Sequence, residues 1–133
     1  MKALEEPTWL TLAQVRMLHA ESLRLFGGSP GLRDARLLES ALARPRQLFA
    51  YGDDPDLFDL AAEYAFGLAR NHAFVDGNKR VALLAVRAFL FFNGFAFAPE
   101  QVETVTTFER LAAGEVDQEV IATWIRDNAL SRQ

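Results

Sequence analysis

The nine residues HAFVDGNKR, His72 to Arg80, place a titratable base, a carboxylate, a Gly-Asn pair and two cations between two long apolar segments. The pattern reads as helix, short loop, helix, with the loop ending at Gly77-Asn78. A helix N-terminus presents unpaired backbone N–H groups and a partial positive charge. It therefore suits phosphate. Gly77 has no side chain, so an anion can approach the backbone closely. Lys79 and Arg80 stand in the first helical turn, where a cation opposes the macrodipole at a cost of about 0.3–1 kcal/mol. That placement makes sense when an anion sits in front of them. Asp76 lies just before this point, and a carboxylate beside phosphates is the usual holder of Mg²⁺. His72, with an ordinary pKa of about 6.5, suits a general base at neutral pH. Phe74 alternates with the polar positions and is expected to point into the core and pin the loop. Together these residues describe a site for a nucleotide–Mg²⁺ complex, with a base placed to deprotonate an attacking hydroxyl.

Each residue also has a plainer reading. His72 alone reads as the end of its helix, Asn78 as an N-cap, Asp76-Gly77 as a turn, and Lys79 and Arg80 as solvated cations. It is the combination that resists these readings. A transition-metal site built on His72 and Asp76 is disfavoured, because a further His ligand would have to be His19, the only other histidine.

The elements that must position these residues are helical. TWLTLAQVRMLHAESLRLFGG opens with Thr8 or Thr11 as N-cap, repeats Leu12, Val15, Leu18 and Leu25 at helical spacing, and ends at Gly27-Gly28. SPGLRD reads as a turn. Asp34 then caps a short helix, ARLLESALAR, expected to stop at Pro45. RQLFAYGDDPD reads as a turn-rich connection, with room for a short hairpin. DLFDLAAEYAFGLARNH is amphipathic, with Leu57, Leu60, Ala61, Tyr64 and Leu68 in line. Asn78 starts the apolar helix through Phe92, and Gly94 closes it. QVETVTTFERLAAG and DQEVIATWIRDNAL complete the set. No stretch alternates with period two beyond four or five residues. The expected class is all-α: a compact single-domain bundle of about six helices around the buried Val81–Phe92 segment. Phe89, Phe91, Phe92, Phe95 and Phe97 are expected in the core.

Bulk properties narrow the classes. A chain of 133 residues fits one domain, 1–133, with a core of its own. The absence of cysteine excludes disulfides and thiolate metal sites. A net charge of −4 gives no sign of a nucleic-acid-binding face. The most apolar run, Val81–Phe92, is interrupted by Arg87 and is shorter than the roughly 20 residues of a membrane span. The N-terminus lacks a signal-peptide apolar run. A cytoplasmic location is the expectation.

HAFVDGNKR is similar to the Fic/Doc motif, His-x-Phe-x-[Asp/Glu]-[Gly/Ala]-Asn-[Gly/Lys]-Arg, at every defined position. GGSPGLRDARLLESALARP (Gly27–Pro45) and the FFNG after the apolar helix resemble the death-on-curing (Doc) branch. The resemblance spans roughly residues 10–128. It implies a helical Fic/Doc fold and transfer of part of ATP to a protein hydroxyl. Within it, His72 is the base, Phe74 the buried anchor and Asp76 the Mg²⁺ ligand, while Gly77, Asn78, Lys79 and Arg80 cradle phosphates. Adenylyl-transferring members have Gly where Lys79 stands and a second Arg where Leu83 stands. Both differences agree with the Doc branch, whose members are thought to bind ATP in reverse and act as kinases. The resemblance thus implies a toxin that phosphorylates a Ser or Thr of a translation factor, elongation factor Tu, and arrests translation. AMP transfer is the alternative, and a non-catalytic binding protein a weaker one.

The inhibitory pattern [Ser/Thr]-x-x-x-Glu of many Fic proteins is absent, since no Ser or Thr has Glu four residues later. Restraint would then come from a partner, and the resemblance implies an antitoxin whose C-terminal segment folds into a surface groove. The first helix is a candidate wall of that groove, giving His19 a role there; otherwise His19 is an ordinary half-exposed helix residue. The resemblance also implies a flap at about residues 46–56, with Arg46 and Tyr51 available to it. The competing reading is a plain interhelical loop.

Overall fold

Six α-helices and one two-stranded sheet make up residues 4–132, which are the residues described by the computed structural model. In chain order they are α1 (Leu12–Phe26), α2 (Ala35–Tyr51), α3 (Leu57–Arg70), α4 (Asn78–Phe92), β1 (Phe95–Phe97), α5 (Gln101–Ala112), α6 (Gln118–Asp127) and β2 (Ala129–Ser131). The class is the all-α one expected. The antiparallel β1–β2 pair, with Phe95 opposite Ser131, is an addition that three-residue strands cannot announce by periodicity.

The central position expected for the Val81–Phe92 segment is shared with α3. That helix packs against α2, α4, α5 and α6. Its Ala61, Ala62, Ala65, Gly67 and Ala69 are small enough to let neighbours approach. A Cβ on Gly67 would lie 3.0 Å from the Ala41 Cα of α2. Larger residues fill the remaining space: Leu60, Tyr64, Leu68, Phe89 and Leu90 are fully buried, each stabilising by about 1.5–3 kcal/mol for the aliphatic and Phe side chains.

Three local expectations are corrected. First, α2 does not stop at Pro45 but runs through it to Tyr51. A helix-interior proline typically costs about 3 kcal/mol. Packing of the second half of α2 offsets this: Phe49 meets Trp9 edge-on at 5.7 Å, Arg46 lies 5.3 Å over the Trp9 ring, and Arg44 pairs with Glu63 at 2.9 Å. The proposed flap at 46–56 is therefore mostly helix, followed by the short link Gly52–Asp56, and no strand or hairpin forms there. Second, α1 turns a different face inward than its leucines suggest. Val15, His19 and Ser22 are buried, whereas Leu12 and Leu25 are exposed. Third, Phe91 and Phe92 are about half exposed rather than core residues. They follow α4 past the end of its packed face.

Among the described residues the N-terminal arm is tied down by an exposed Thr8–Asn93 hydrogen-bond pair and by a buried polar bond to the core. The Leu10 N–H donates to the Tyr64 hydroxyl at 3.0 Å, and burial pushes the Tyr64 pKa up to about 12. Tyr64→Phe keeps the ring against Phe89 but leaves this N–H without an acceptor. The expected loss in denaturant unfolding is about 1–3 kcal/mol. A loss near zero would mean that the arm is not held this way.

Candidate functional site

The loop between α3 and α4 is held in an uncommon backbone shape. His72 has φ +53, a left-handed conformation for a non-glycine residue. Gly77 has φ +77 and is the N-cap of α4. A left-handed glycine here costs little, whereas a side chain would be strained.

The α1–α2 connection straps this loop from outside. Val75 N–H donates to Gly31 O at 3.0 Å, and Arg33 and Asp34 N–H both donate to Ala73 O at 2.8 and 3.0 Å. Leu32 and Phe74 form an antiparallel bridge. The Arg33 side chain completes the strap: its Nε donates to His72 O at 2.8 Å, and Nη2 reaches Asn71 O at 3.4 Å. A cation is thereby placed on the last carbonyls of α3, where the helix dipole is negative. The left-handed turn at His72 is thus held by bonds to its own carbonyl and to the residue after it. The His72 imidazole is left exposed in the cleft.

Within the loop, Asn78 is not the N-cap that it resembles in isolation. Its side-chain oxygen accepts from Phe74 N–H and its Nδ2 donates to Phe74 O, both at 3.0 Å. It closes the loop instead, and only its backbone N–H remains for a ligand. Phe74 is buried, 3% exposed, as expected of an anchor. Because the N-cap is Gly77, which has no side chain, and Asn78 is committed elsewhere, α4 begins with no side-chain cap bond. The helix ladder starts with Val81 N–H to Gly77 O. The N–H groups of Asn78, Lys79 and Arg80 precede it and have no place in it.

His72, Asp76, Gly77, Asn78, Lys79 and Arg80 all line one cleft of about 570 Å³, closed at its sides by Ala69, Val75 and Ala112. The structure thus brings together every residue of the His72–Arg80 motif given a site role except Phe74, which lies beneath. A smaller apolar slot of about 170 Å³ adjoins Lys79 and Arg80. Leu83, Val105 and Phe108 line it, so the residue one turn after Arg80 contributes a hydrocarbon wall, not a third cation.

Asp76 is positioned by backbone donors. Ser29 N–H reaches Oδ2 at 3.1 Å and Gly77 N–H reaches Oδ1 at 2.8 Å. These two bonds, and the nearby Arg80 charge, hold its carboxyl below the ordinary value of 3.8 against an opposing desolvation. The contact with the Gly27–Ser29 turn is close. A Cβ on Gly28, whose φ is +123, would fall 2.9 Å from Asp76 Oδ2. Arg80 reaches the same turn, Nη1 donating to Gly27 O at 3.0 Å.

A metal ion tests the donor set. Among the described residues no cluster of three or more His, Cys, Asp or Glu side chains comes together. One carboxylate beside the uncapped start of α4 is a donor set that fits Mg²⁺, which keeps several waters and needs few protein ligands.

The sequence reading missed three contributors. His19 is expected in a groove wall or half-exposed on its helix, yet it is buried and its Nε2 lies 2.7 Å from Asp76 O under the motif. Arg33 and the Gly28-Ser29 pair were read only as turn residues. The spacing of Val15, His19 and Ser22 on one helical face was the available signal for His19. Nothing local marks Arg33, because its partners are 38 and 39 residues away.

The depressed Asp76 pKa has a direct consequence. Its folded-state hydrogen bonds require the ionised form, so their stabilisation is present above pH 3.8 and is lost as pH falls through the lower folded value. A carbon-detected NMR titration is expected to place the Asp76 midpoint below 3.8; a midpoint at or above it would show that Ser29 and Gly77 do not hold the carboxylate.

Comparison with known proteins meets this geometry. A model of the Fic/DOC family matches residues 9–90, which contain α1 to α4 up to Leu90 and thus both the strap and the motif loop. The chain is 51% identical over 77 residues to a protein of Mycolicibacterium smegmatis named Toxin Doc, covering 56% of this chain and 58% of that one. It therefore spans less than two thirds of that relative. It is 34% identical over 110 residues to Protein kinase doc of Escherichia phage P1, covering 82% of this chain and 86% of that protein. With the strapped motif loop and the uncapped helix lying inside the matched region, the chain belongs to the Fic/DOC family.

Proposed function

We propose that this chain is the toxin of a toxin–antitoxin pair, a Doc-type kinase that moves the γ-phosphate of ATP to a Ser or Thr hydroxyl of a translation factor in the cytoplasm. Elongation factor Tu is the target implied by the resemblance. The supporting observation is the uncapped α4 N-terminus, which opens into the same cleft as His72, Asp76, Lys79 and Arg80. The names of the two relatives, a toxin and a protein kinase, agree with this reading.

Phosphoryl transfer asks mainly for positioning and charge stabilisation. In this reading the Asn78, Lys79 and Arg80 N–H groups bind phosphate oxygens, and the Lys79 and Arg80 side chains offset their charge. His72 accepts the hydroxyl proton as the oxygen bonds to the γ-phosphorus. The bond from that phosphorus to the bridging oxygen breaks, and ADP leaves. Mg²⁺, held by Asp76, would neutralise phosphate charge when bound. AMP transfer would use the same cleft with the nucleotide reversed. The apolar wall at Leu83 and the cation at Lys79 favour the kinase, since the resemblance places a second Arg and a Gly at those positions in adenylyl transferases.

The partner proposed for restraint is an antitoxin segment. The groove of about 460 Å³ between α1 and α4, lined by Leu18, Leu84, Arg87, Ala88, Phe91 and Phe92, suits an amphipathic helix.

Two measurements check these readings. Intact mass spectrometry of elongation factor Tu, after incubation with this protein and MgATP, is expected to show a gain of about 80 Da that His72→Ala abolishes. A gain of about 329 Da would mean AMP transfer instead; with no gain, elongation factor Tu is not the target. For the groove, Phe91→Asp is expected to weaken binding of the cognate antitoxin segment by at least about tenfold while leaving transfer activity intact. Unchanged affinity would place the antitoxin elsewhere.

A further inference from the structure

His19 lies in the middle of α1, eight residues before the strap begins at Gly27, and is 4% exposed. Its Nε2 is 2.7 Å from Asp76 O. A carbonyl oxygen can only accept, so Nε2 carries the proton and donates. The ring stacks on Phe74 with centroids 3.8 Å apart and planes 14° from parallel. Its edge also faces Gly77, where a Cβ would lie 3.6 Å from Nε2. One side chain from a distant helix therefore touches the anchor, the backbone of the carboxylate residue and the helix cap.

We infer that His19 is a positioning residue for phosphate binding: by holding the Asp76 carbonyl inward, it fixes the plane of the Asp76–Gly77 peptide. A trans peptide sets its C=O and N–H on opposite sides. With the carbonyl drawn towards α1, the Gly77 N–H points the other way and meets Asp76 Oδ1. The joint is a weak point, because Gly77 populates positive and negative φ almost equally well. A rotated peptide would release Asp76 Oδ1 from its backbone donor. It would also turn a carbonyl dipole towards the place where phosphates are to sit. The His19 N–H opposes that rotation from a buried position, where a lost hydrogen bond leaves the carbonyl unsatisfied.

This role presupposes the nucleotide site proposed above, and it deepens that reading without depending on the identity of the protein target. Two substitutions separate positioning from packing. His19→Phe keeps an aromatic ring for Phe74 but has no donor. His19→Gln loses the ring but keeps an N–H that can reach the carbonyl. If His19 only fills space, Phe should be the better replacement. If it positions the peptide, Gln should be.

The experiment is an amide-detected NMR titration of the full chain with MgATP, following Asn78, Lys79 and Arg80, together with the histidine-ring nitrogen spectrum. The wild type is expected to show His19 as the Nε2–H tautomer and to shift all three amides. His19→Phe is expected to bind MgATP at least tenfold more weakly with an altered Gly77 amide shift, and His19→Gln within about threefold of wild type. The inference is overturned by an Nδ1–H tautomer, by wild-type affinity in His19→Phe, or by equal weakening in both variants. Absence of amide shifts in the wild type would overturn it together with the nucleotide site. A wild type that binds MgATP but modifies no protein would fail the kinase reading alone.

Discussion

The docking of residues 27–34 onto residues 71–80 is the constraint on which the site depends. A left-handed non-glycine residue such as His72 is unfavourable on its own. It persists because backbone bonds from Val75, Arg33 and Asp34, and the Arg33 guanidinium, hold the residues on either side. The same docking brings Ser29 N–H to Asp76 and Gly27 O to Arg80. His72, Asp76 and Arg80 are thus all oriented by a single irregular segment. The helices α1 and α2 matter to the chemistry chiefly because they deliver that segment.

A second feature follows from where the polar groups are spent. Asn78 could have capped α4, but its amide closes the loop on Phe74. The helix therefore begins with free N–H groups, and with Lys79 and Arg80 where acidic residues would stabilise it more. For an isolated helix this is a poor arrangement. The packing of Val81, Ala82, Ala85, Val86, Phe89 and Leu90 against α3 and its neighbours keeps α4 helical regardless. Burial along the helix supplies stability that its first turn does not, and the first turn is left free to meet an anion.

Much of this was legible in the residue order. The six helices follow from periodicity, helped by Thr11 and Asp34 as N-caps and by the glycines after α1 and α4. The cluster at His72–Arg80 is contiguous, so its chemistry could be read without any fold. Other features were not legible for physical reasons. The passage of α2 through Pro45 depends on Trp9 and Glu63, which reach it from other elements. The inward face of α1 carries His19 and Ser22, and a scale that counts apolar residues cannot prefer it to the face carrying Leu12 and Leu25. Phe91 and Phe92 read as core by composition, but only the end of α4 packing determines that they face a groove.

The sequence by itself therefore determined the helical class, the order of the elements and the candidate site residues, because caps, periodicity and motif spacing act over a few neighbouring residues. The tertiary structure alone decided which groups orient them. His19 lies 57 residues from Asp76, Ser29 lies 47 from it, and Arg33 lies 39 from His72. Hydrogen bonds across such separations leave no local signature. They exist only once the core has brought α1, the strap and the start of α4 to one place.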